Sequence, residues 1–222
     1  LAQPREPLDF IPADSLLSWT GRPLDEPRGG VARAASGPAT QPSTLQLLWE
    51  LATRIAGPPL DRSTQLDVRL TELLGLVVRY PHALALIDAR AKATETDPNA
   101  PRVDQLRLAL VVQNEGRPEP FLKIIQMAVD EQTNSGQATL GNTRIGRWTY
   151  QELRDRRLPP WAVIAWGQLD GHFVLTVGTD VWPLIAAVAD GQAPSLRQDA
   201  CSRDVRVTSN LPPWRTGALR RI

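Results

Sequence analysis

Between residues 44 and 79 apolar residues recur every three or four positions, the spacing that lines one face of a helix. Leu45, Leu48, Trp49, Ala52 and Ile55 predict a helix over about 44–56, stopped by Gly57 and Pro58-Pro59. Leu66, Leu70, Leu73, Leu74, Val77 and Val78 predict a second over about 62–79, capped by Asp61 or Ser63 and closed by Pro81. The period then changes to two. His82–Ile87 is almost continuously apolar, which predicts a strand covered on both faces and running on as polar chain to about Lys92. Asp104–Gln113 alternates, with Leu106, Leu108, Leu110 and Val112 on one face and Arg107, Ala109 and Val111 on the other. After a turn at Glu115-Gly116, Pro118 and Pro120 open a third helix to about Gln132, with Phe121, Ile125, Ala128 and Val129 inward.

The second half reads as hairpins. Gln137–Leu140 and Arg147–Leu153 are weaker strands, joined through Gly141-Asn142 and Gly146. Trp161–Leu169 and His172–Val177 flank Asp170-Gly171, the residue pair that a type I′ turn requires. Thr179 or Asp180 caps a last helix, with Val181, Leu184, Ile185 and Val188 inward and Gly191 closing it. The fold class expected is α+β: a largely antiparallel sheet with helices packed on one face. Leu106–Val112 with Pro120–Val129 echoes Phe173–Val177 with Pro183–Val188, a faint strand–helix repeat.

Both ends differ from this body. Residues 1–42 carry seven prolines and read as an extended arm, followed by an α+β domain over 43–191. The arm also concentrates Leu8, Phe10, Ile11, Leu16, Leu17 and Trp19, which a disordered linker has no reason to carry. It is expected to lie on something apolar, either its own domain or a neighbouring chain. Residues 192–222 lose the apolar period and form an irregular basic tail, six arginines against Asp199 and Asp204, with Trp214 inside it. The candidate partner-binding residues are therefore Phe10, Ile11, Leu16, Leu17, Trp19 and Trp214. Tryptophan is enriched at binding hot spots, and there are seven here against two tyrosines.

Chemistry is sparse. The formal net charge of +1 supplies no field to draw in a polyanion. Arg144, Arg147, Trp148, Tyr150, Arg154, Arg156, Arg157 and Trp161 do interleave basic and aromatic groups, as a single-strand binding platform would. Trp148 and Tyr150, however, share a strand face that should pack a helix, so no nucleic-acid partner is expected. Cys201 is the only cysteine, and His82 and His172 lie too far apart in sequence to suggest shared ligation, so neither a disulfide nor a metal site is expected. No glycine-rich phosphate loop and no nucleophile elbow occurs, so no cofactor and no catalytic residue is assigned. An enzyme would need Glu152, Asp155, His172 or Asp180 to gather in one cleft. No apolar run reaches the 18 residues that a membrane span requires.

Three stretches, Phe10–Trp19 (FIPADSLLSW), Leu106–Gln126 and Trp161–Gly178, resemble a loose family of uncharacterised exported bacterial proteins. Its members carry an "lPad" stretch after a signal peptide, followed by strand–helix repeats. The resemblance implies an envelope or extracellular location and transfers no active site. The start at Leu1 rather than Met fits a processed chain. Taken together, a non-catalytic envelope or extracellular protein is expected, binding partner chains through its apolar arm and sheet edge. The alternatives are a carrier of an apolar ligand between helices and sheet, and an enzyme of unrecognised type.

Overall fold

The computed structural model describes residues 5–21, 64–92, 102–134 and 136–198. The helix expected over 44–56, Cys201 and Trp214 lie outside them. The described residues build an α+β fold on one seven-stranded, wholly antiparallel sheet. In chain order the elements are β1 (Leu17–Gly21), α1 (Thr64–Val77), β2 (His82–Lys92), β3 (Arg102–Gln113), α2 (Glu119–Asn134), β4 (Ala138–Ile145), β5 (Trp148–Asp155), β6 (Ile164–Leu169), β7 (His172–Val177) and α3 (Val181–Ala189). A 3-10 turn, Pro7–Phe10, precedes them. The strand order is β1-β2-β3-β7-β6-β5-β4.

The helices do not share one face, which corrects the expected placement. Alternate residues of the central strands enter two separate cores. Leu84, Leu110, Val112, Trp166 and Phe173 meet α1 and α2 through Leu73, Val77, Phe121, Ile125 and Val129. Phe121 stacks on Phe173 with ring centroids 4.8 Å apart. The opposite face is floored by Ala83, Ala85, Ala109 and Ala165, and α3 and the 3-10 turn lie on it. The small floor explains the close approach of α3. Nothing in a helix's own period says which face of the sheet it will cover.

This placement also bears on the repeat. β3 and β7 are antiparallel neighbours, and a twofold relating such strands must stand normal to the sheet. It would put both following helices on the same side. α2 and α3 lie on opposite sides, so the echo is one of local pattern and not of a symmetric duplication.

The Asp170-Gly171 hairpin forms as read, with both residues at positive φ (43° and 76°). The Glu115-Gly116 turn forms too, also with both residues at positive φ. The β4–β5 hairpin corrects the sequence reading. β4 runs straight through Gly141-Asn142 and turns only at Gly146-Arg147, where Ile145 pairs with Trp148. Gly146 takes positive φ, whereas Gly141 stays extended opposite Glu152. Asp180 occupies the N-cap position of α3 in the left-handed region, but its side chain caps nothing.

Candidate functional site

The arm residues picked from the sequence divide sharply. Phe10 and Ile11 have no exposed surface and belong to the chain's own core beneath α3. They are therefore shielded from any partner. The turn that places them is tied at its start, where the Asp9 carboxylate accepts the Glu6 N–H at 2.7 Å. The arm is held from the other end of the chain as well. The Ala13 N–H donates to Pro194 O, the Leu196 N–H donates to Ile11 O at 2.7 Å, and Pro12 pairs with Ser195. Arg197 reaches Glu6 and Asp9 at 3.2 and 3.3 Å.

Past this clamp the arm becomes a strand. β1 pairs with β2 from Leu17↔Leu86 to Gly21↔His82. Leu16, Leu17 and Trp19 are half-buried, and Trp19 packs against the α1–α2 side. The arm and the sheet edge, read as two features from sequence, are thus one. His82 lies against Gly21, where an added Cβ would come within 2.1 Å of the imidazole.

The other edge is β4. Its register with β5 is unbroken over eight residue pairs. Thr139–Asn142 are exposed, and Leu140 keeps 42 % of its surface in solvent. Natural edges are usually blunted by proline, a bulge, an inward charge or shortness. β4 has no proline and no bulge, and its single charge, Arg144, folds back to donate to Gly146 O at 3.1 Å.

The aromatic and basic residues of β5 are committed internally. The Trp148 indole N–H and Arg147 both donate to Asp190, Arg147 stacks over Trp148 at 4.1 Å, and Tyr150 stacks on Trp182 at 4.8 Å. Arg154 pairs with Glu152 and Arg157 with Asp155. Two ring faces of the interleaved set are therefore already occupied.

Of the four groups an enzyme would have needed together, the structure joins two. Glu152 and Asp180 line a cleft of about 140 Å³ beside the start of α3, with Tyr150 between sheet and helix. Burial pushes the Tyr150 hydroxyl above its usual range, and the Glu152 and Asp180 charges add to that, so it stays a neutral donor near pH 7. Glu152 is bonded to Arg154 at 2.6 Å, and Asp180 is 80 % exposed and 4.0 Å from Arg107. The cleft offers hydrogen bonds but no activated nucleophile. Asp155 lies by a second cleft, of about 120 Å³, its carboxyl held low by bonds from Arg157. His172 is buried under the arm. Both clefts fall well short of the roughly 300–1,000 Å³ of ordinary ligand sites. Among the described residues no three His, Cys, Asp or Glu side chains group as a metal would need, and no helix is long and apolar enough to cross a membrane.

Comparison of the chain with protein-family models, with curated proteins and with solved structures finds no match.

Proposed function

We propose that this protein is a non-catalytic interaction subunit of the cell envelope or extracellular space, whose sheet accepts a strand from a partner chain. The observation that carries this reading is β4, a regular, bulge-free, nearly uncharged edge with an exposed leucine as its third residue. Such an edge supplies main-chain donors and acceptors for affinity and alternate side chains for selectivity. β1, at the other edge, is shorter at five residues and is a lesser surface. The exported location rests on the resemblance of Phe10–Trp19, Leu106–Gln126 and Trp161–Gly178 to exported proteins.

A photoreactive amino acid placed at Leu140 tests this in cells that make the protein. Discrete covalent adducts, to a second copy or to another protein, are expected at Leu140. They should be absent at the exposed helix positions Leu122 and Leu184. Adding Asn142→Pro to the Leu140 probe should remove them by breaking the edge. Equal adducts at all three positions, or none at Leu140, would reject strand addition at β4.

A further inference from the structure

His172 opens β7 and is only 3 % exposed, beneath the arm. Its ring lies 4.5 Å from that of Phe10. Nδ1 sits 3.0 Å from the Asp170 carbonyl oxygen, which makes Nδ1 the protonated nitrogen. Nε2 is then a bare lone pair, and it is buried without a partner. We propose that His172 makes docking of the N-terminal arm acid-sensitive: a proton on Nε2 favours lifting Phe10 and its turn away from the sheet.

A neutral imidazole tolerates burial here, whereas a buried imidazolium is costly, and the nearby Arg5 and Leu169 carbonyls offset only part of that cost. The cover is the short turn Pro7–Phe10, so local opening of the arm reaches the ring more cheaply than unfolding the sheet does. Arg5 reaches Asp170 at 3.1 Å and the Ala189 carbonyl at 2.7 Å, and Arg147 reaches Asp170 at 3.6 Å. A protonated His172 would become a third cation around that one carboxylate. Glu6 and Asp9 of the arm face Arg197, and Asp190 of the α3 end faces Arg147 and Trp148. Its β3 neighbour, Gln113, is uncharged. Burial holds His172 below its ordinary value. The carbonyls of Asp170, Arg5 and Leu169 and the Asp170 carboxylate pull the other way without prevailing.

The sign follows. With the docked value lowered, docking is at full strength above about pH 6.5 and weakens as pH falls from there to the docked value. The open fraction rises by at most about tenfold per pH unit in that window. Phe10 and Ile11 are fully buried, so acid loosens the arm without freeing it.

Hydrogen exchange tests this between pH 7.5 and 5.0. The readout is the Ile11 and Leu196 amides, corrected for intrinsic rates. Their opening constants should rise several-fold over that interval, with β5 amides unchanged and the rise absent in His172→Gln. NMR titration of the wild-type imidazole provides a reading that needs no variant. His172 should titrate below about 6.5 and move up towards it in Phe10→Leu. Arm exchange that ignores pH, a rise that persists in His172→Gln, or a His172 titrating at or above 6.5 would overturn the proposal.

Discussion

Phe10→Ala should lower folding stability by about 3–5 kcal/mol, the range for truncating a fully buried aromatic. In a chain of this length that is a fall of about 10 °C in Tm. The reason is geometric. Phe10 has no exposed surface and rests on His172, and Arg5 crosses its ring at 5.6 Å. Alanine leaves a cavity bounded by a sheet and α3, neither of which can collapse into it freely. A residue kept for a partner would behave otherwise, since surface substitutions usually stay within about 0.5 kcal/mol. Chemical denaturation of the two proteins decides the matter. A change below about 1 kcal/mol would mean that the arm is not part of the core.

Gly178→Ala should cost about as much, roughly 4 kcal/mol, by a different route. Gly178 opens the turn from β7 into α3 at φ 116°, a conformation that L side chains rarely adopt. Its added Cβ would stand 2.3 Å from the Leu106 carbonyl oxygen, a backbone atom that cannot swing aside. Backbone strain of about 1–3 kcal/mol and overpacking of about 1–3 kcal/mol both apply. Gly141→Ala is the control. Gly141 is extended in β4, and its nearest neighbour would be the Glu152 carbonyl at 3.9 Å. That substitution should be neutral or stabilise by about 0.5 kcal/mol. Equal effects at the two glycines, compared by thermal unfolding, would contradict the geometry at Gly178.

Much of the architecture could be read from residue spacing. Leu106–Val112 reads as a strand because apolar side chains recur at every second position, and Asp170-Gly171 forms the tight turn its residue types favour. What stayed hidden depends on partners distant in sequence. Val181, Ile185 and Val188 announce an apolar helix face, yet the face of the sheet it covers is chosen by the alanines of β2, β3 and β6. Gly141-Asn142 looks like a turn locally and is overruled by pairing with Gln151 and Glu152. The candidate site was half visible. The cluster Leu8 to Trp19 marked the arm as a docked segment, but composition alone does not tell a core from an interface. β4 gave only the weak strand signal of Gln137–Leu140, because most of its residues are exposed. Glu152 and Asp180 reach one cleft because the start of α3 lies against β5, where Tyr150 stacks on Trp182, and no local motif encodes that.

The clamp between the two ends of the described fold has a consequence for biosynthesis. Arg197 and Asp9 are separated by 188 positions, and the Leu196–Ile11 bond spans nearly as many. At about 5–20 residues per second, the stretch bearing Phe10 and Ile11 leaves the ribosome some 10–40 s before its counterpart. Throughout that interval the nascent chain displays an oily segment with no native place to go. Chaperone capture, or transport across a membrane before folding, would act on that waiting period.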